Sequence, residues 1–187
     1  MGFLLDSLKC LDEDLREKGS CLVVAEGKPL EVMESFIKEF RVKKLTFERD
    51  TEPYNKAMDN EITKKAQSLK VNVESFWGHT LFDPDYLLSL NDGKAPLTMG
   101  GFLKVASLAG APSKPLDAPM KIPAPPSSDV KCRDVKVFSK IPTLSDLKEY
   151  GYNPKEKTTW FIAGEKEAIK RMEEFLAQKK DYIMIPV

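Results

Sequence analysis

Strands and helices alternate along the first half of the chain, and this alternation limits the possible folds more than any other feature. Short apolar runs predict strands at residues 21–25, 44–48 and 71–76. The segments between them have apolar residues at helical spacing, and prolines at their starts suit a first helical turn. Strands joined through helices pair in parallel with right-handed crossovers. We therefore predict an α/β fold, an incomplete doubly wound parallel sheet of about three strands flanked by helices.

A helix precedes the first strand. Leucines recur at helical spacing between charged residues over residues 3–18, and Gly19 follows them, which predicts an amphipathic helix with a glycine at its end. The run from Cys21 to Ala25 is continuously apolar, as in strands covered on both faces. The chain is therefore expected to open on a helix, followed by a buried strand.

The second half of the chain does not continue the alternation of strands and helices. Residues 111–129 contain prolines every few positions and no apolar stripe, which is typical of an extended, exposed linker. Beyond it, a short helix is expected to begin near Ile141 and to close at Gly151, and a last helix is expected from about Glu165 to Lys179. We therefore predict a partial α/β domain at 1–110, a linker at 111–129 and a helical connector at 130–187.

Charge and cysteine content narrow the class of protein. Lysine plus arginine and aspartate plus glutamate each number 29, so no overall positive field favours nucleic acid. The three cysteines, Cys10, Cys21 and Cys132, lack the spacing of a zinc or redox motif and are expected to be buried thiols. No secretory or myristoylation signal is present, and no apolar run approaches the roughly 18 residues of a membrane span. A soluble intracellular protein is expected.

The corner where the 44–48 strand turns into the next helix is the first candidate site, because ligands of open α/β sheets usually bind at the carboxyl ends of strands. Asp50 or Thr51 is expected to cap the helix, and Pro53 to lie in its first turn. Clustered carboxylates can perform acid/base or magnesium chemistry, but at a helix start they also serve capping and solubility, which we favour. The carboxylates in question are Glu48, Asp50, Glu52 and Asp59.

The remaining candidates for chemistry have structural interpretations. His79 is the single histidine, so neither a metal site nor a catalytic triad can be assembled around it, and its ring is expected to bond to backbone in a turn. Trp77 and Trp160 are expected to pack rather than to transfer electrons. Neither a dinucleotide-binding nor a P-loop glycine motif is present. The residues alone thus predict an α/β domain and no reaction.

Four segments in order resemble landmarks of the cryptochrome and (6-4) photolyase family. The corner FERDTEPYNKAMDNEI resembles the strand, D-S-E-P and helix segment of that family, and GHTLFDP follows it at family spacing. NDGKAPLT is similar to N-G-G-x-P-P-L-T. After the proline-rich segment, IPTL and WFIAGEKEA are similar to V-P-T-L and W-x-G-G-E-x-E-A. The resemblance covers nearly the whole chain.

The resemblance implies a shortened architecture. Relatives begin with two further strands, and after the last helix they continue into a large helical domain that holds FAD and contacts DNA. Neither part is recognised in this chain, so DNA contact is implied only through the missing helical domain. In the family's strand order, 3-2-1-4-5, the missing first strand lies at the centre of the sheet. We therefore expect the strand at Cys21 to pair directly with the strand at Lys44.

The resemblance also bears on cofactors and partners. No cofactor is expected in this chain, FAD is expected in full-length relatives, and an antenna folate or deazaflavin is not supported, because Tyr54 and Asn55 replace the polar pair that contacts folate. In animal cryptochromes the same corner lines a pocket for a clock transcription-factor partner. Its counterparts here are Glu52, Pro53, Tyr54 and Met58, with Tyr54 in the place of a phenylalanine and Met58 in the place of a basic residue.

Three hypotheses follow from the resemblance. The first is a fragment of a blue-light flavoprotein, acting in photoreception, circadian regulation or DNA photorepair at the level of the full-length relative, and itself non-catalytic. The second is a binding module that recognises a clock or signalling protein through the corner. The third is part of an active (6-4) DNA photolyase whose chain continues further. A cytoplasmic or nuclear location, without membrane contact, is expected for all three.

Overall fold

The computed structural model describes residues 1–127, 130–153 and 161–178. Six helices and four strands occur within these ranges. In chain order they are α1 (Gly2–Glu17), β1 (Val24–Glu26), α2 (Pro29–Phe40), β2 (Lys44–Glu48), α3 (Pro53–Ser68), β3 (Asn72–Phe76), α4 (Pro84–Ser89), α5 (Met99–Ala109), β4 (Lys136–Phe138) and α6 (Glu165–Gln178). A 3₁₀ turn lies at Lys148–Tyr150. The order confirms the predicted alternation of helix and strand.

The chain forms two compact units. One unit is continuous and comprises Lys28–Ala118, and the other joins residues 1–27 to the described residues from 119 onward. The α/β fold predicted from the sequence is present in the small sheets and their covering helices. The boundaries predicted at residues 110 and 129 stay a prediction.

The continuous unit is built on one parallel strand pair. β2 and β3 align over five residues, from Lys44 opposite Asn72 to Glu48 opposite Phe76. α2 and α3 pack together, and the core contains the buried side chains Ile37, Ala66 and Val71. Half-buried apolar residues surround this core, namely Met33, Val42, Leu45, Leu69 and Val73. One face of the strand pair is therefore covered by apolar side chains, as the alternation in β2 predicts.

The helices of this unit begin where the sequence indicates. Pro29 and Pro53 occupy the first turns of α2 and α3, where a missing backbone N–H costs nothing. α2 is followed by Arg41 in the left-handed conformation, with φ of 51°, and Val42 N–H donates to the Ile37 carbonyl. β2 follows directly, and its bounds, Lys44–Glu48, agree with the predicted ones.

The predicted pairing of the Cys21 strand with the Lys44 strand is wrong. β1 instead pairs antiparallel with β4, a strand that the sequence analysis did not predict, and β2 pairs with β3. An ion pair accompanies the pairing of β1 with β4. Glu26 lies opposite Lys136, and its carboxylate is 2.7 Å from the Lys136 ammonium. Hydrogen bonds from Lys136 and then Tyr150 hold the pKa of Glu26 below its ordinary value. Two two-stranded sheets replace the single three-stranded one among the described residues.

The other differences are local. The first strand begins at Val24 rather than Cys21, and its residues are half-buried rather than fully covered. The three cysteines are free, as predicted, but half-buried rather than buried. The helix predicted from Ile141 is reduced to the 3₁₀ turn, which ends at Gly151 as expected. Residues 111–120 are exposed and carry no helix or strand. Trp160, Lys179 and the YIMIPV tail lie outside the described residues.

In the described part of the chain, the helices are too short or too polar to cross a membrane.

Candidate functional site

The corner between β2 and α3 is held by Asp50. The N-cap of α3 is Glu52, rather than Asp50 or Thr51 as predicted, and its own side chain makes no capping bond. Asp50 acts from two residues earlier: one carboxylate oxygen accepts from the Glu52 N–H at 3.0 Å and the other from the Asn55 amide at 2.7 Å. The Glu52 and Asn55 hydrogen bonds hold the pKa of Asp50 below its ordinary value. The carboxylate is therefore used to fix the turn.

The four residues predicted to line a partner pocket lie at the start of α3. Tyr54 is 76% exposed, Glu52 and Pro53 are also exposed, and Met58 is half-buried. Tyr54 and Met58 are four residues apart and share a helix face. The structure thus presents an aromatic ring beside a rigid proline at a helix start, and the pocket role of this group stays a prediction.

The other carboxylates of the corner have separate partners, and Asp59 accepts from the Asp50 N–H at 3.4 Å. Glu48 is turned toward His79, whose Nδ1 lies 3.0 Å from Oε1, so the histidine contacts a carboxylate and not backbone as predicted. Both side chains are exposed. No group of three or more potential metal ligands forms within residues 1–127, 130–153 and 161–178. The structural role favoured for these acidic side chains stays a prediction.

A cavity of about 640 Å³ lies at the carboxyl ends of β2 and β3, and the sequence analysis missed it. Arg49 directly follows β2, and its guanidinium lies 4.4 Å from the centre of the Trp77 ring, which directly follows β3. Arg49 also pairs with Asp85 at 2.9 Å. The cation thus holds the indole at the cavity wall, which confirms that Trp77 packs.

Two polar groups of this wall have no partner in the described residues. They are the indole nitrogen of Trp77 and the hydroxyl of Thr80, and both are shielded from solvent. Aromatic and aliphatic side chains, including Phe82, line the cavity together with the polar residues Ser75, Asp83 and Ser113. The volume lies in the range of small-molecule sites. The sequence signal that could have located it is the pair Arg49 and Trp77, each directly after a parallel strand.

Comparison with solved structures identifies the fold of this chain. A class III photolyase from Agrobacterium tumefaciens superposes with a TM-score of 0.69 at 23% identity, covering 94% of this chain and 35% of that one. A cryptochrome from Synechocystis superposes with a TM-score of 0.73 at 21% identity, covering 96% of this chain and 35% of that one. At these identities the likeness establishes the fold, which is the N-terminal α/β domain of photolyases and cryptochromes.

Sequence comparison establishes the family. The sequence model described as DNA photolyase matches residues 1–123. A (6-4)DNA photolyase of Arabidopsis thaliana is 38% identical over 179 residues, covering 95% of this chain and 31% of that protein. Cryptochrome-1 of Aedes aegypti is 33% identical over 188 residues, covering 97% of this chain and 34% of that protein. The chain belongs to the DNA photolyase family, and it spans about a third of the length of these relatives.

Proposed function

We propose that these 187 residues are the non-catalytic α/β part of a cryptochrome- or (6-4) photolyase-like blue-light flavoprotein of the cytoplasm or nucleus. The observation that carries the proposal is the match of residues 1–123 to the family model, combined with coverage of only 31% of the (6-4)DNA photolyase of Arabidopsis thaliana. FAD then belongs to the rest of a full-length relative.

Purified 187-residue protein is therefore expected to carry no flavin. The measurement is the absorbance spectrum in the near-ultraviolet and blue, before and after equilibration with excess FAD and gel filtration. Bovine serum albumin treated in the same way reports carry-over. Stoichiometric flavin absorbance that survives gel filtration would contradict the proposal.

We further propose that the corner binds a clock or signalling protein through Glu52, Pro53, Tyr54 and Met58. The exposure of Tyr54 supports this role, because aromatic rings beside a rigid backbone are frequent anchors of protein interfaces. Asp50 prearranges the turn that carries them, which reduces the ordering cost of binding. Antenna binding at the same place is not part of the proposal, since the Asn55 amide donates to Asp50.

Replacement of Tyr54→Ala tests the corner. With the full chain as bait and a candidate clock protein as prey, the variant is expected to bind roughly tenfold more weakly, as anchor truncations do. Tyr152→Ala is the matched control, since this tyrosine belongs to the other compact unit. Equal retention of the partner by Tyr54→Ala and the original protein would count against the corner.

A second candidate, part of an active (6-4) DNA photolyase, is favoured by the 38% identity to the plant enzyme. Sequencing of the complete transcript decides it. A reading frame that continues into a helical flavin-binding domain supports repair or photoreception by the whole protein, and a stop codon after Val187 opposes it.

A further inference from the structure

Two short segments of the continuous unit are rich in basic residues. Residues 38–44, KEFRVKK, hold four basic residues and one acidic residue, and residues 64–70, KKAQSLK, hold three basic residues and no acidic one. Each segment ends a helix and leads toward a strand, from α2 into β2 and from α3 into β3. The chain as a whole carries no net charge, so this concentration of positive charge is local.

The two segments meet at the amino ends of β2 and β3. The Asn72 N–H donates to the Lys43 carbonyl at 2.9 Å, so the turns that precede the two strands lie side by side. Neighbouring strands are about 4.8 Å apart and successive residues rise about 3.3 Å, which places Arg41, Lys43 and Lys70 on one surface. We call these three residues the amino-edge patch. The patch consists of turns and not of a strand edge, so it does not depend on which strand lies beside β2.

The three side chains of the patch are free of ion pairs. Three other lysines of the two segments are held by carboxylates. The pairs are Lys38 and Lys65 with Glu34, at 2.6 Å and 2.8 Å, and Lys44 with Glu74 at 2.6 Å. Arg41, Lys43 and Lys70 are exposed and contact no carboxylate in the part of the chain that the structure describes. Their charge is therefore available to a partner.

The backbone at two of these residues is unusual for long side chains. Arg41 and Lys70 have positive φ, of 51° and 61°, a property that only Asp92 shares among the non-glycine residues within the described ranges. Glycine or asparagine normally fills such a position after a helix, because a Cβ atom is crowded there. The helix dipoles are already served by Lys38 and Lys65 in the last turns of α2 and α3. Cations at two positions where glycine costs less indicate that their charge is used.

The surroundings of the patch restrict the kind of partner. Phe40, Val42 and Leu69 are half-buried, and no large apolar side chain of the two segments is exposed. The surface thus lacks the apolar groups that insert into a membrane or anchor a protein interface. It also lacks an exposed aromatic ring on which unpaired bases stack. Charge alone suits the phosphate backbone of a duplex, which is contacted without reading the sequence.

We propose that the amino-edge patch, formed by Arg41, Lys43 and Lys70, binds the phosphate backbone of double-stranded DNA independently of sequence. Three cations that neutralise three phosphates release their counterions, so the logarithm of the affinity falls against the logarithm of the salt concentration with a slope of about −3. Binding by so few contacts is weak and is strongest in low-salt buffer. The proposal concerns the continuous unit alone and depends neither on flavin content nor on the corner at residues 48–59.

Removal of the three charges is the test, with Arg41→Gly, Lys43→Gln and Lys70→Gly combined in the full 187-residue chain. Fluorescence anisotropy with a labelled DNA duplex of random sequence measures the affinity over a salt series. The variant is expected to bind at least roughly tenfold more weakly in low-salt buffer, with a slope reduced in magnitude by about 3. Because both glycines suit a positive φ, the urea midpoint is expected to stay unchanged or to rise.

The matched control removes three charges elsewhere on the same unit. Lys56→Gln, Lys94→Gln and Lys104→Gln change exposed lysines within residues 28–118 and are expected to leave duplex binding nearly unchanged. Lys43→Gln alone is a milder variant that keeps both positive-φ residues, and it is expected to reduce the slope by about 1.

Duplex binding that the patch variant loses and the control keeps establishes the surface. Absence of duplex binding in low-salt buffer overturns the proposal, and so does equal weakening by the two triple variants, since general charge then explains the binding. Tighter binding to phosphatidylserine vesicles, to polyglutamate or to an RNA duplex than to the DNA duplex overturns the choice of partner. A lower urea midpoint of the glycine variant overturns the argument from the backbone, because Arg41 and Lys70 then serve the fold.

Discussion

At the scale of single residues, Asp50 shows how one carboxylate determines the geometry of a corner. Two oxygens receive two different donors, the Glu52 N–H and the Asn55 amide, and together they fix where α3 begins. Asp50 thereby satisfies a backbone N–H at the start of the helix, as a capping residue would, although the N-cap position is occupied by Glu52.

The Asp50 contacts predict a stability effect with a defined pH window. Because the folded-state pKa of Asp50 lies below its ordinary value of 3.8, ionised Asp50 stabilises the fold above that pH. This contribution is lost as the pH falls through the lowered folded value. Asp50→Asn is therefore expected to lower the urea midpoint at pH 6, and the difference from the original chain is expected to shrink below pH 3.8.

Glu61→Gln is the control for this experiment, because Glu61 is exposed on α3 and its side chain makes no hydrogen bond or ion pair within the described part of the chain. It is expected to leave the urea midpoint nearly unchanged at both pH values. A difference between Asp50→Asn and the original chain that stays constant from pH 6 to pH 3 would show that ionisation of Asp50 does not stabilise the corner.

At the scale of elements, α3 is tied to the sheet through its last turns. Ala66 is fully buried, and its carbonyl accepts from the N–H of Leu69 and of Val71, the second of which leads into β3. A small residue at this position lets α3 approach β2 and β3 closely. The spacing of Met58, Ile62, Ala66 and Leu69 predicted this buried face from the sequence.

Enlarging Ala66 is therefore expected to destabilise the continuous unit. Ala66→Leu adds three carbons to a filled site, and overpacking of this kind costs about 1–3 kcal/mol of unfolding free energy. Ala57→Leu is the matched control on an exposed position of the same helix, where the change is expected to stay within about 0.5 kcal/mol. Urea unfolding followed by circular dichroism measures both, and equal effects of the two changes would contradict close packing at Ala66.

The pairing of β1 with β4 could not be predicted from sequence periodicity. β1 and β4 have three residues each. Glu26 and its partner Lys136 are far apart in sequence, with residues 27–135 between them. Neither strand has a periodicity of its own long enough to detect. The opposite charges of Glu26 and Lys136 form an ion pair only when the two strands are adjacent in the folded chain.

At the scale of the whole molecule, residues 111–120 form the exposed stretch around the point where one compact unit gives way to the other, between Ala118 and Pro119. Leu116 is 97% exposed and Met120 is 95% exposed. Backbone without helix or strand enters protease sites more easily than backbone in regular structure.

Chymotrypsin is therefore expected to cut first at Leu116 or Met120 during limited digestion, with fragments identified by mass spectrometry. Changing both residues to serine is expected to slow the first cut at least roughly tenfold, whereas Leu69→Ser, at the end of α3, is not expected to protect the chain. First cleavage within α3 or β3 would show that the continuous unit opens more readily than this stretch.

Because local chemistry is read from neighbouring residues, the sequence by itself determined α2, β2, α3 and β3 of the continuous unit, but not α4 and α5, and it indicated the family. Proline at two helix starts, alternation in β2 and the apolar face of α3 are each read from neighbouring residues, and the corner at residues 48–59 lies within one such stretch. Tertiary structure alone decided the partners. β1 pairs with β4, the His79 ring contacts the Glu48 carboxylate, and the Arg49 guanidinium packs on the Trp77 ring at a cavity. These contacts join residues distant in sequence, so their energies depend on a proximity that only the folded chain creates.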